Sequence, residues 1–199
     1  MAKQILFIHG GMTFKKRENY LNYLKTREIS LEKRNSWSKE YLDNELSDFQ
    51  IIRPSMPLKD NSNYEDWKIH FERYFEFIDD DVILIGNSLG GIFLAKYLSE
   101  NKFPKKIKLT ILVCAPFDDS IPEEDLAGGF ELSDSLDLLE ENSPNLKLFF
   151  SEDDEIVPLS QAEKYSQKLK KAEIIICKNK NGHFFVEEFP ELVNAIKEL

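Results

Sequence analysis

Six short apolar runs, separated by longer polar or amphipathic stretches, constrain the fold of this chain more than any other feature. They occupy residues 4–9, 49–53, 81–86, 109–114, 146–151 and 173–177. Each has the length of a strand and lacks the three-and-four spacing of a helix. The stretches between them read as helices. Asn63-Tyr64-Glu65-Asp66 has the form of a capping start, and Trp67, Phe71, Tyr74, Phe75 and Ile78 then fall on one face. Residues 91–100 and 160–171 read similarly, and a last helix over 189–199 has Pro190 near its first turn. Such alternation predicts an α/β fold: a three-layer α/β/α sandwich around a six-stranded, mostly parallel sheet. Right-handed crossovers and a central first strand give the order 2-1-3-4-5-6, with ligands at the carboxyl ends of the strands. Two connections exceed a simple crossover. Residues 10–48 are expected to carry one or two helices, and either that stretch or residues 115–145 could shape a pocket rim.

A single domain over residues 1–199 is expected, because no repeat and no Gly/Ser- or Pro-rich linker interrupts the 199-residue chain. The 42% apolar content is that of a folded globule. No apolar run approaches the ~20 residues that cross a bilayer, and residues 5–8 are too short for a signal-peptide core. The expected location is cytoplasmic. Cys114 and Cys177, each in or beside an apolar run, read as reduced thiols packed as small hydrophobes. A net charge of −10 argues against nucleic acid or an anionic membrane as partner. The bias is sharpest over residues 116–144, with ten Asp and Glu and no Lys or Arg. If that stretch borders the site, it disfavours anionic substrates.

The chemistry-bearing segment is Val82-Ile83-Leu84-Ile85-Gly86-Asn87-Ser88-Leu89-Gly90-Gly91, an apolar strand running through Gly-x-Ser-x-Gly into a helix. A serine at a tight strand-to-helix turn points its hydroxyl into a pocket, and Gly86 and Gly90 leave room for the strained backbone. The helix start presents unpaired N–H groups toward an oxyanion forming at Ser88. The pentapeptide alone could be a turn without chemistry; its strand and helix flanks make coincidence much rarer.

A serine needs a base, and the base an acceptor that fixes its tautomer. Of three histidines, His70 lies within a predicted helix and reads as a surface residue. His183 follows the sixth run in a polar turn, at the edge of the sheet where Ser88 stands. Its acid is sought in Ser151-Glu152-Asp153-Asp154-Glu155-Ile156-Val157-Pro158. Asp154 is preferred there, since the turn can aim a short carboxylate back at the base; Asp153 is its rival, and a solvated acidic loop the alternative to both. His9, in Ile8-His9-Gly10-Gly11-Met12, reads as a brace of its turn. The N–H of Gly11 (or Met12) and that of Leu89 are the candidate oxyanion donors. Ser88, Asp154 and His183 appear in the chain order of α/β-hydrolases rather than of chymotrypsin-like or subtilisin-like enzymes.

With these residues placed, the chain resembles the α/β-hydrolase superfamily over nearly its full length. It looks most like the small serine hydrolases with little or no lid, related to the YdeN proteins and retinoblastoma-binding protein 9. The points of similarity are Gly86-Asn87-Ser88-Leu89-Gly90-Gly91, Asp154 ahead of Val157-Pro158, and Gly182-His183-Phe184. The resemblance implies Ser88 as nucleophile, Asp154 as acid, His183 as base, and the Gly11 and Leu89 amides as oxyanion donors. It departs at Asn87, where many relatives carry His, and in a longer, more charged 13–48 stretch.

The expected reaction is acyl transfer to water through an acyl-enzyme, on a small ester, thioester or amide, with no cofactor and no metal. Phe117, Phe130, Phe184 and Phe185 would suit an apolar acyl group if they face the pocket, and the core if they do not. The acidic 116–144 stretch would suit a cationic substrate or plain solvation. The expected partner is a small acyl substrate, and the chain a monomer or homodimer. The rival reading is a protein-binding module on a hydrolase fold.

Overall fold

The computed structural model describes residues 3–31, 35–122 and 124–199. Glu123 of the acidic stretch and residues 32–34 of the first long connection lie outside the described residues. All six apolar runs form strands: β1 (Lys3–Ile8), β2 (Phe49–Ile52), β3 (Val82–Asn87), β4 (Ile107–Val113), β5 (Leu146–Ser151) and β6 (Glu173–Cys177). They join in the order β2-β1-β3-β4-β5-β6, and every pairing is parallel. The interior strands are buried along nearly their whole length, while the edge strands β2 and β6 are only partly covered. This explains why the interior runs are apolar without alternation: both of their faces meet helices.

The helices are α1 (Arg17–Thr26), α2 (Leu42–Glu45), α3 (Tyr64–Glu72), α4 (Leu89–Glu100), α5 (Asp137–Asn142), α6 (Leu159–Lys168) and α7 (Pro190–Lys197). With the sheet between them they complete the three-layer sandwich. None is long and apolar enough to cross a membrane. Helix α3 starts where expected, with the Asn63 side chain accepting from the Glu65 amide at 3.0 Å. It stops sooner than its apolar face suggests. The amides of Tyr74 and Phe77 bond back three residues, to Phe71 and Tyr74 (both 3.0 Å), and these tighter turns swing Ile78 into the core. Trp67, fully buried, meets Phe93 and Phe130 edge-on, and its indole N–H donates to the Pro57 carbonyl at 2.8 Å.

The two long connections set the site's surroundings. The first carries α1, a π-helical turn (Trp37–Tyr41) and α2. Trp37 is buried, and its indole N–H donates 3.1 Å to the Phe184 carbonyl, which ties this turn to the loop after β6. The second, after β4, has α5 as its regular element and laces to the first. Thr13 Oγ1 bonds the Asp125 carbonyl and accepts from the Ala127 amide (3.0 Å), while the Asp125 carboxylate accepts from the Lys15 amide (3.1 Å) and Asn19 (3.2 Å). Both candidate rim segments therefore contribute.

At the centre, β1, β3 and the start of α4 approach closer than side chains allow. A Cβ on Gly86 would lie 2.4 Å from the Gly90 carbonyl oxygen, and one on Gly90 would lie 2.3 Å from that of Ile8. Backbone cannot yield as a side-chain tip can. Gly90→Ala is therefore expected to destabilise the fold by about 3 kcal/mol or more, seen as a lowered urea midpoint with an unchanged m-value.

Candidate active site

Ser88 sits between β3 and α4 at φ 54°, ψ −120°, a conformation that costs a non-glycine residue about 1–3 kcal/mol. Its amide donates 2.8 Å to the Val113 carbonyl, and its carbonyl accepts from Gly91 at 2.8 Å, so both sides of the turn are pinned. The hydroxyl then projects to the carboxyl edge of the sheet. There Ser88 Oγ lies 2.9 Å from His183 Nε2, and His183 Nδ1 lies 2.8 Å from Asp154 Oδ2. A carboxylate can only accept, so in the neutral ring Nδ1 carries the proton and Nε2 accepts from Ser88.

Asp154 is buried, and its other oxygen accepts from the Ile156 and Val157 amides, both at 2.9 Å. These two bonds aim the carboxylate at His183. Asp153, the rival, faces another way: it accepts from the Lys180 amide (3.0 Å), the Gly182 amide (2.9 Å) and the Ser151 hydroxyl. Those donors, the Gly182 amide foremost, hold its pKa down to about 2. Adjacent acids thus have separate tasks, one meeting the imidazole and the other stapling the loop that carries it. Burial alone would lower the His183 pKa, but the Cys114 sulfur and the Asp154 carboxylate outweigh it and raise the value above that of ordinary histidine.

The Gly11 and Leu89 amides have no hydrogen-bond partner among the described residues, whereas the Met12 amide is committed to the Lys59 carbonyl at 2.8 Å. Gly11 and Leu89 both line the cavity at Ser88. Of the two donors weighed on the β1 side, Gly11 is the free one. His9 is held as a brace, with Nδ1 2.6 Å from the Gly10 carbonyl and Nε2 accepting from the Met56 amide at 3.0 Å. Burial lowers its pKa. His70, half-buried against Tyr74, joins none of these groups.

That cavity has a volume of about 50 Å³, walled by Met12, Thr13, Pro116, Ile121, Leu126 and Val157, with Asp118, Glu124 and Asp125 at its acidic side. Asp118 is paired with Lys164 at 2.7 Å. Glu124 is half-buried, and its desolvation raises the carboxyl pKa against the pull of His183. The acidic stretch thus borders the pocket. The four phenylalanines do not line it: Phe130 and Phe184 are core, Phe117 packs on Tyr165, and Phe185 is exposed. A wider cleft of about 700 Å³ lies across the β1 loop, lined by His9, Gly10, Arg53, Met56 and Lys59 among others. Its Gly10 backs onto Ser88, since a Cβ there would stand 3.2 Å from the Ser88 Cβ.

The sequence reading missed one member of this cluster. Cys114, read as a packed hydrophobe, is indeed fully buried, yet its sulfur lies 3.6 Å from His183 Nε2 and 3.5 Å from the Asn87 side-chain oxygen. Its φ of 40° turns it from the end of β4 toward the site. Asn87, the departure from the family pattern, is the residue that accepts from the thiol. Position at the carboxyl end of a central strand was the available signal.

A family model described as serine hydrolase matches residues 32–193. The chain belongs to the serine hydrolase family. The hydrolase also resembles the ydeN gene product of B. subtilis, at 21% identity and a TM-score of 0.74 over 98% of this chain and 97% of that one. A putative YdeN-like hydrolase from Pectobacterium atrosepticum shares 15% identity at a TM-score of 0.64, with 98% and 90% covered. The esterase domain of a Rhodothermus marinus protein shares 20% at 0.58, with 92% and 78% covered. These likenesses are of fold, that of the α/β-hydrolases. No curated protein gives a significant sequence match to this hydrolase.

A depressed carboxyl pKa stabilises the fold above the unfolded value, near ~3.9 for Asp, and that contribution is lost as pH falls through about 2. The urea midpoint of the wild type should therefore fall more steeply across this window than that of Asp153→Asn.

Proposed function

We propose that this serine hydrolase cleaves small esters, thioesters or amides by acyl transfer through Ser88, with His183 as base and Asp154 as orienting acid. The observation that carries this reading is the continuous chain Ser88 Oγ–His183–Asp154, at 2.9 and 2.8 Å, beside two amides uncommitted among the described residues. His183 Nε2 takes the Ser88 proton as Oγ attacks the carbonyl, and the Asp154 carboxylate steadies the imidazolium that forms. The Gly11 and Leu89 amides receive the oxyanion; Leu89 opens α4, where the helix leaves its first N–H groups unpaired. His183 then protonates the leaving group, and water repeats the sequence to free the acid. No step requires a metal or cofactor.

The cavity of about 50 Å³ suits a short acyl group, and its acidic side opposes a negative charge on that group. Among short p-nitrophenyl esters, neutral and cationic acyl groups are expected to give higher kcat/KM than anionic ones of equal size, with the gap narrowing in Glu124→Gln. Equal rates across the charge series would remove the carboxylates from substrate selection.

Fluorophosphonate labelling tests the mechanism directly. The folded wild type should label, Ser88→Ala should not, and Asp154→Asn should lower ester kcat by about 10⁴-fold. A folded wild type that neither labels nor turns over esters would overturn the reading in favour of a binding module. Because the raised His183 pKa keeps the ring protonated to higher pH, and only the neutral ring is a base, kcat/KM should rise with pH to an inflection above 6.5.

A further inference from the structure

Cys114 is not used by the proposed reaction, although its sulfur stands beside the base. The Cys114 sulfur, a His183 ring nitrogen and an Asp154 oxygen lie within 4.8 Å of one another, and Ser88 Oγ adds a fourth polar atom 2.9 Å from His183 Nε2. We propose that Cys114, His183 and Ser88 form a Zn²⁺ site, backed by Asp154, that silences the enzyme when occupied.

The spacing supports a shared metal. Tetrahedral zinc with Zn–S about 2.3 Å and Zn–N about 2.0–2.1 Å separates its sulfur and nitrogen ligands by ~3.6 Å. Cys114 Sγ and His183 Nε2 are 3.6 Å apart. Those two donors are thus at chelating distance before any metal arrives, whereas Ser88 Oγ, 2.9 Å from Nε2, must swing out to about 3.4 Å to share the ion. Ser88 Oγ, on the same side of the ring, and one water complete four positions.

Asp154 stands behind the histidine rather than on the ion. One of its oxygens is taken by the Ile156 and Val157 amides, and the other accepts from His183 Nδ1. That is the carboxylate–histidine arrangement that fixes the tautomer of a metal-binding imidazole and raises its basicity. A sulfur with an imidazole nitrogen selects zinc over magnesium or calcium. The half-buried Glu124 carboxylate in the pocket wall adds negative potential for a dication. Cys114 is fully buried, and the member of the cluster that lines the adjoining cavity is Ser88.

On binding, the Cys114 thiol releases its proton to solvent and the thiolate donates a pair to Zn²⁺. Where the His183 ring is protonated it also releases its Nε2 proton to solvent; Nε2 then donates its lone pair, and Ser88 binds through its neutral hydroxyl. No oxidation state changes. The ion thereby occupies the lone pair that would take the Ser88 proton and the oxygen that would attack. Chelation restores both.

Binding is measured without reference to catalysis; only the silencing rests on the hydrolase reading. Co²⁺ titrated into the folded, reduced wild type should give one equivalent and a thiolate-to-cobalt charge-transfer band that Zn²⁺ bleaches. Cys114→Ser and Cys114→Ala should lack the band, which separates Cys114 from Cys177. In competition with a chromophoric chelator, Asp154→Asn should bind Zn²⁺ about 10–100-fold more weakly, and His183→Ala, altered in a loop, more weakly still. Circular dichroism reports whether each variant is folded. No band in the wild type, or equal Zn²⁺ affinity in wild type and His183→Ala, would overturn the site. In the second arm, Zn²⁺ should block fluorophosphonate labelling and EDTA restore it. Labelling unaffected by saturating Zn²⁺ would overturn the silencing, whereas a wild type that binds Zn²⁺ but never labels would sink the hydrolase reading and leave the site standing.

Discussion

The site depends on one close approach of backbone to backbone. Gly90 brings the first turn of α4 against the Ile8 carbonyl, and Gly86 brings β3 against Gly90 itself. Without those contacts α4 would stand off the sheet, and Ser88 would have no reason to hold a positive φ. The strain is balanced by what the turn secures: a buried α4 with residues Leu89–Ala95 in the core, and amide bonds on both sides of Ser88. Stability and reactivity meet in the same few atoms, since the geometry that packs the helix also exposes its first N–H groups to the pocket.

The histidine side of the site is built from loops, and loops need anchors. Asp153 gathers two amides of the 180–182 turn, Trp37 reaches across to the Phe184 carbonyl, and Phe184 packs on Phe189 at the start of α7. His183 therefore sits on a segment held from three directions. These contacts explain how a loop presents a ring to Ser88 at hydrogen-bond distance: they hold a segment that has no regular structure of its own.

Most of the architecture was legible in the sequence because its signals are local. Strand-length apolar runs, the Asn63 cap, Pro190 at the start of α7 and the Gly-x-Ser-x-Gly turn each act over a few residues, and each appears in the structure where it was read. The extent of α3 was not legible, because the reason it ends after Glu72 is the fit of Ile78 to the core rather than anything in its own spacing. Nor was the destination of the phenylalanines. An aromatic near a pocket in sequence is drawn to whichever apolar contact is largest, and for Phe130 and Phe184 that is the core. Cys114 shows the converse: a buried thiol at a strand end looks the same in sequence whether it faces a helix or an imidazole. Asp153 and Asp154 were separable only by direction, which two adjacent carboxylates do not reveal until the turn is folded.

The lacing of residues 13–19 to residues 125–127 separates the wall of the pocket from the groups at its floor. These two segments contribute to the cavity wall, yet they are fastened to each other, and neither supplies Ser88, Asp154 or His183. A change in the length of either segment would alter the pocket without altering the residues that carry Ser88, Asp154 and His183. The width of the pocket and the Ser88–His183–Asp154 chain thus rest on different parts of the fold, the first on a self-tied collar and the second on strand ends and the loops just beyond them.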